Sequence, residues 1–146
     1  MIKITTAKPN ESQQIRRFEQ LVWHETCITS PYDIVTFVTY GYVFLAKENN
    51  KIVGAIIAIK TKKDEIRIID WLVEKNHRHR GIGTKLYHKL RRAVGGLAII
   101  AYVESRNTAS LAGHKKLGFK RIKKVADPFY LSENTTWWVM KKLNTN

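Results

Sequence analysis

Val73-Glu74-Lys75-Asn76-His77-Arg78-His79-Arg80-Gly81-Ile82-Gly83-Thr84 carries the chain out of an apolar run, Glu65–Val73, through a basic, glycine-containing turn and into helical periodicity. A strand that enters such a turn and then a helix leaves several backbone N–H groups unpaired at the helix start, where the helix dipole also favours negative charge. Glycines at 81 and 83 let the backbone approach an anion closely, and Arg78 and Arg80 add charge-assisted donors suited to phosphate oxygens. A P-loop needs four residues between its glycines and Lys-Ser/Thr directly after the last. Gly81-Ile82-Gly83-Thr84-Lys85 has one residue between and reverses the pair. A Rossmann fingerprint needs a third small residue where Leu86 stands, an acidic residue about 20 further on, to which Glu104 is a rough match, and a place near the first strand. Local spacing alone leaves two readings, a phosphate-binding turn and an uninvolved basic loop.

Outward from this turn the chain alternates strand and helix. Ile82, Leu86, Leu90 and Ala93 make one buried helical stripe, with Lys85, Lys89, Arg91 and Arg92 largely outside it and Gly95-Gly96 as the stop. Leu97–Val103 then reads as a buried strand, Thr108–Leu117 as a helix closed by Gly118, and Phe119–Val125 and Thr136–Leu143 as strands. Upstream, Tyr42–Lys47 and Ile52–Lys60 flank Glu48-Asn49-Asn50-Lys51 as a hairpin. The first forty residues give a strand at Ile2–Ala7, a helix from Glu11 to His24–Thr26 with Asn10 or Ser12 as cap, and a second helix from Asp33 to Tyr40. The order predicts an α/β fold: a mixed sheet of about six to seven strands flanked by about four helices, with ligands at the strand ends.

Composition bounds the function. The chain has 146 residues, the size of one domain, so residues 1–146 are expected to form a single one. Hydrophobic residues make up 44% and charged residues 26%, too apolar for a disordered chain. The longest apolar stretches, Ile52–Ile59 and Gly95–Val103, fall far short of the roughly 20 residues of a membrane-spanning helix, and Met1–Thr6 lacks a signal-peptide core. Cys27 is the one cysteine, which forbids an internal disulfide. A cytoplasmic protein with no membrane association is expected. Lys and Arg number 26 against 12 Asp and Glu, a net charge of +14 that attracts anions: nucleic acid, an acidic protein or a polyphosphate cofactor.

Arg78-His79-Arg80-Gly81-Ile82-Gly83 matches the Arg/Gln-x-x-Gly-x-Gly/Ala signature of the GNAT superfamily of N-acetyltransferases, and Val73 stands where that family's fourth strand ends. Three further segments are in register. Lys51-Ile52-Val53-Gly54 resembles the turn and strand before the signature, Val103-Glu104-Ser105-Arg106-Asn107 its strand-end valine followed by an asparagine, and Leu117-Gly118-Phe119 its helix end. The resemblance covers Tyr42–Leu143 by motif and the first forty residues by pattern. It implies a GNAT-like fold and acetyl-CoA as co-substrate. The pyrophosphate would lie on the backbone of Arg78, His79, Arg80, Gly81, Ile82, Gly83 and Thr84, the pantetheine arm beside the strand ending at Val73, and Asn107 would hydrogen-bond the cofactor.

The reaction so implied is attack of a primary amine on the thioester carbonyl. A lysine-like amine of pKa about 10.4 is neutral about one part in a thousand near pH 7.4, a cost of about 4 kcal/mol, whereas holding both reactants in line is worth about 7–11 kcal/mol at best. Geometry therefore outweighs a dedicated base. The family resemblance implies that the backbone N–H at Val73 polarises the carbonyl. Where much of the family has a tyrosine that protonates the departing thiolate, this chain has His114, which can donate a proton near neutral pH. Asp70 and Glu104, on the strands expected to flank the cofactor, are the candidate bases; His24, Glu25 and Tyr130 are lesser candidates for lining the acceptor site. His77, His79 and His88 lack a cysteine or spaced carboxylate to complete a metal site, so no metal is expected. Trp137-Trp138 place one ring on each face of a strand, a packing pattern before it is a base-stacking one.

The expected function is thus acetyl-CoA-dependent transfer to an amine of a small molecule or protein. The alternative is a basic nucleic-acid-binding protein with a degenerate or adjunct acyl-CoA site, tracking phosphates with Lys85–Arg92 and Lys115–Lys124. The net charge repels polyamines and basic peptides at long range and leans toward acidic or neutral acceptors. A homodimer is left open by the resemblance.

Overall fold

The computed structural model describes residues 1–23, 29–128 and 132–143. Among them are strands β1 (Ile2–Thr6), β2 (Tyr42–Glu48), β3 (Lys51–Lys62), β4 (Glu65–Val73), β5 (Ala98–Glu104), β6 (Lys120–Ala126) and β7 (Thr136–Lys142). Helices α1 (Ser12–Trp23), α2 (Pro31–Tyr40), α3 (Ile82–Val94) and α4 (Thr108–Lys116) connect them. The strands form one sheet in the order β1-β2-β3-β4-β5-β7-β6. It is mixed: β4 and β5 run parallel, whereas β1 with β2, β2 with β3, β5 with β7 and β6 with β7 are antiparallel. The parallel pair requires a crossover, which α3 supplies.

Two compact units divide the chain, Met1–Ile59 with Ile69–Gly95 and Lys60–Ile68 with Gly96–Asn146. In the first, Ile15 and Phe18 of α1 and Ile34 of α2 bury against Val43, Leu45, Ile52, Ala55, Ile57 and Leu72. On α3, Ile82, Leu86, Leu90 and Val94 are buried too, and a methyl group added at Gly54 would meet Ile82 and Leu86 at 3.1 and 3.2 Å. Helices therefore cover β3 on both faces, which explains its unbroken apolar run Ile52–Ile59 where a half-exposed strand would alternate. The β2–β3 hairpin closes on Asn49 and Asn50 at φ 49° and 65°, the left-handed pair that a two-residue turn requires and asparagine tolerates. Leu86→Ala is expected to cost about 2–5 kcal/mol in urea denaturation, the usual range for emptying a fully buried leucine site.

Two helix starts differ from the sequence reading. Helix α2 begins at Pro31, ahead of Asp33, because Ser30 and Asp33 form a reciprocal capping box: Asp33 N–H donates to Ser30 Oγ and Ser30 N–H to Asp33 Oδ2. Before α1 a short 3₁₀ turn, Pro9–Glu11, takes the place of an Asn10 or Ser12 cap. Glu11 Oε1 accepts from Lys8 N–H, and Ser12 Oγ donates to the Pro9 carbonyl. The predicted end of the first helix at His24–Thr26 lies outside the described residues.

In the second unit, Ile99, Ala101 and Val103 of β5 alternate buried with half-buried neighbours, and Leu111, His114, Phe119, Val139 and Met140 are buried as well. Edge strand β6 is almost wholly exposed, carries Lys120, Arg121, Lys123 and Lys124, and changes register between Arg121 and Lys123. A charged, irregular edge resists pairing with a further strand. Arg121 and Lys124 also stand over the Trp138 ring, at 4.9 and 5.1 Å from its centre. No helix of the described residues is long and apolar enough to cross a membrane.

Candidate functional site

Strand β4 ends at Val73, and the chain reaches α3 through a 3₁₀ turn, Lys75–His77, and two residues in left-handed conformation, His79 at φ 61° and Gly81 at φ 76°. Gly81 is the N-cap of α3 and has no side chain with which to cap it. The 13-residue helix thus presents its first amides without a side-chain acceptor from its cap. A Cβ at Gly81 would meet nothing within 4 Å, whereas one at Gly83 would lie 3.5 Å from the Trp71 indole nitrogen. That indole donates to the Gly83 carbonyl at 3.0 Å and stacks on Tyr87, with ring centres 5.7 Å apart. The loop's exit is therefore fixed by β4 itself.

Arg78 and Arg80 are exposed. Arg78 Nε donates to the Val73 carbonyl at 3.1 Å, and Arg80 approaches Glu48 at 3.5 Å. Thr84 is exposed in the first turn of α3, but the Ile82 side chain is buried, so that residue can offer an anion only its backbone. Arg78 N–H is engaged with the Lys75 carbonyl at 3.4 Å, so what the turn brings together is the exposed Arg78 and Arg80 side chains and the start of α3 at Gly81. Helix starts and guanidinium groups are the two protein features best suited to phosphate oxygens.

Asp70, also on β4, is in a different environment. Its Oδ1 accepts from the Trp23 indole at 3.2 Å, and its carboxyl pairs with that of Glu19 on α1. Glu19 is fully buried and accepts from the Thr29 hydroxyl at 2.8 Å. Burial, and then the Glu19 carboxyl beside it, push Asp70 up to about 9, against a small opposing effect of the Trp23 hydrogen bond. The two carboxyls cannot both ionise cheaply, so at neutral pH Asp70 keeps its proton. Sequence reading singled out Asp70 but missed Glu19. The available signal was its place on the apolar stripe of α1, beside Phe18 and four residues after Ile15.

In the second unit, Glu104 ends β5 and is ion-paired with Arg106, its Oε1 at 2.6 Å from Nη2 and 2.8 Å from Nε. Asn107 is the N-cap of α4 and accepts from Ser110 N–H at 3.1 Å. His114 is buried and meets Phe119 edge to face at 5.1 Å between ring centres. Its Nδ1–H donates to the Ser110 carbonyl at 2.7 Å, which makes Nε2 the acceptor nitrogen. Burial lowers its pKa, against the opposing carbonyl bond, so the ring is neutral near pH 7. His24, Glu25 and Tyr130 lie outside the described residues. Among the described residues no group of three or more His, Cys, Asp or Glu side chains gathers for a metal.

The model of the acetyltransferase (GNAT) family matches residues 10–119, three quarters of the chain, and the chain belongs to that family. No curated protein matches it. Solved structures match its fold from end to end. A GNAT-family acetyltransferase from Streptococcus pneumoniae has a TM-score of 0.82 at 20% identity, over 98% of this chain and 99% of that one. Ard1 from Thermoplasma volcanium gives 0.83 at 21% identity over 99% of each chain. The ribosomal-protein-S18-alanine N-acetyltransferase from Escherichia coli gives 0.83 at 17% identity, over 100% of this chain and 96% of that one.

The raised Asp70 pKa has a consequence for stability. A carboxyl whose folded-state pKa lies above its unfolded value stabilises the fold fully below the unfolded value, near 3.8, and loses that contribution as pH rises through about 9. Asp70→Asn, a neutral isostere, is expected to be more stable than the parent at about pH 8, with the difference closing toward about pH 4. Urea denaturation across that range measures it.

Proposed function

We propose that the chain, acting over residues 1–146 as one N-acetyltransferase-like domain, moves the acetyl group of acetyl-CoA directly to a primary amine. The observation that carries this reading is the turn from β4 into α3, where a glycine cap, a helix N-terminus and two arginines form an anion cradle. Membership of the acetyltransferase (GNAT) family says which anion suits it. The pyrophosphate of CoA fits the backbone of Arg78–Thr84, and Asn107 has a carboxamide N–H₂ group to offer the cofactor while its Oδ1 caps α4. The yncA acetyltransferase of Salmonella typhimurium, of the same fold at 18% identity, is described with its cofactor acetyl-CoA.

In the reaction the amine lone pair attacks the thioester carbon, the C–S bond breaks, and the proton shed by nitrogen ends on the CoA sulfur. A backbone N–H at the end of β4, at Val73, would stabilise the oxyanion. His114 serves as the proton relay. Its neutral ring takes a proton at Nε2 and returns it to the thiolate, an easy acceptor with a thiol pKa of about 8.5. Asp70, paired with Glu19, is a base of high pKa, better matched to an amine than an ordinary carboxylate but held mostly protonated near neutrality. Glu104 would act as a base only after leaving Arg106.

For the acceptor, the Arabidopsis thaliana Naa50 structure of this fold holds the bisubstrate analogue CoA-Ac-MVNAL, at 17% identity. A peptide or protein amine is the reading it supports here, with the +14 charge favouring neutral or acidic sequences. No observation on the site favours the nucleic-acid alternative.

Two measurements test the proposal. Titration calorimetry with acetyl-CoA is expected to show micromolar binding that Gly83→Glu abolishes, because it adds a side chain and a negative charge to the turn proposed to hold the pyrophosphate; absence of binding by the parent protein would sink the reading. His114→Ala is expected to lower kcat by roughly 10²–10⁴-fold with little change in acetyl-CoA affinity, and equal turnover under chemistry-limited conditions removes His114 from the mechanism.

A further inference from the structure

Between α4 and the β6–β7 edge the second unit carries a groove of about 680 Å³, within the size range of protein binding sites. Its floor is apolar, made by the buried side chains of Leu111, Phe119 and Met140. Lys115, Lys120 and Arg121 stand at its walls on exposed positions, and no acidic residue is among the described residues that line it. Asn107 and His114 belong to the same helix, but the groove meets α4 at other positions, Leu111, Ala112 and Lys115 among them. It shares no residue with the proposed acetyl-CoA site.

The charge around this groove is of one sign. From Thr108 to Ala126 the chain has six Lys and Arg residues and no Asp or Glu, and β7 adds Lys141 and Lys142. Elsewhere several cations are answered by carboxylates: Lys47 by Glu11, Lys51 by Glu74, Arg80 by Glu48 and Arg106 by Glu104. Among the described residues none of the six cations of α4 and β6 forms an ion pair. The β6–β7 ladder even sets Lys120 directly opposite Lys141, a like-charge pairing that destabilises an antiparallel sheet. Protection of a sheet edge calls for charge, but not for charge of a single sign. The dipole of α4 favours Lys115 and Lys116 in its last turn, and the Trp138 ring holds Arg121 and Lys124. Neither supplies a negative charge, so the repulsion along β6 is left for an anion from outside the described residues to relieve.

We propose that this groove docks an acidic segment of a partner protein, with carboxylates against Lys115, Lys120 and Arg121 and an apolar side chain on the floor of Leu111, Phe119 and Met140. Charge complementarity selects the partner and speeds its arrival, and the apolar floor adds the contact that a purely ionic surface lacks. A second copy of this chain, at +14, is repelled at long range. A nucleic acid would bring phosphates but nothing for the floor. The rings at hand do not suit base stacking either, since Phe119 is only 2% exposed and Trp138 already lies under Arg121 and Lys124.

The probe is a fluorescent peptide with a central Leu-Phe pair flanked on each side by glutamates, its N-terminus blocked so that it cannot serve as an acceptor amine. Polyglutamate of the same length and an oligothymidylate of matching charge are the comparisons, all measured by fluorescence anisotropy at about 0.15 M salt. The parent protein is expected to bind the Leu-Phe peptide about tenfold more tightly than either comparison. The double variant Lys120→Glu with Arg121→Glu is expected to weaken that peptide about tenfold or more, whereas Lys3→Glu with Lys62→Glu, an equal change of net charge at exposed positions that do not line the groove, changes it less than about threefold. Ala112→Trp, which places a bulky ring in the groove at an exposed position without altering charge, is expected to weaken the peptide as well. Equal weakening by the two charge variants reports the overall field of the protein and overturns the proposal, as does tighter binding of the oligothymidylate or no binding of the Leu-Phe peptide. If the groove variants do not fold, amide NMR of the parent protein decides: peptide-induced shifts centred on α4 and β6 support the docking site, and their absence from both elements overturns it.

Discussion

Helix α3 starts on a glycine in left-handed conformation, and from that constraint much of the first unit follows. A serine or aspartate cap would satisfy the first amides of the helix from within the chain, whereas Gly81 leaves them for an outside acceptor. The arrangement holds only if the helix cannot slide or fray, and its buried stripe of Ile82, Leu86 and Leu90 prevents that. Trp71 binds the Gly83 carbonyl from β4, so the strand that ends at the cradle also anchors its far side. Gly54, with no Cβ, lets α3 lie close on β3. Packing of the apolar core thereby sets the aim of a polar surface.

Two carboxylate groupings in the same unit show how solvent decides acid–base behaviour. Around His77, Glu48 is near the surface, hydrogen-bonded to the imidazole and close to the Arg80 charge, so its charged form is favoured. Behind β4, Asp70 is removed from water and meets another carboxyl, and its neutral form is favoured. Neither direction follows from residue type. Each follows from what the fold sets within hydrogen-bonding distance and how much water it excludes. The grouping of Asp70 with Glu19 holds one proton between α1 and β4.

The architecture was legible in the sequence because its signals are short-range. The apolar run Ile52–Ile59, the stripe Ile82–Leu86–Leu90 and the Asn49-Asn50 turn each report local geometry, and the order of elements then permits few sheets. The misreadings were local too. Asp33 looked like the start of α2 but is its third residue, paired in a capping box with Ser30, which lies ahead of the proline. Ser12 looked like a cap and instead donates to Pro9. For Ser12 the residue type was read correctly and the direction of its hydrogen bond was not, since serine can both donate and accept; for α2 the cap, Ser30, was not read at all.

By itself the sequence determined the sheet-and-helix order, the glycine turn and its two arginines, and the positions of Asp70, Asn107 and His114, because these depend on spacing along one chain. Only the tertiary structure decided what those side chains are. It paired Asp70 with Glu19 from 51 residues earlier, engaged Glu104 with Arg106, turned the Nδ1 of His114 to the Ser110 carbonyl, and set His77 between Glu48 and Glu74. Protonation states and hydrogen-bond partners depend on distance through space and on excluded water, and neither quantity is carried by residue order until the chain has folded.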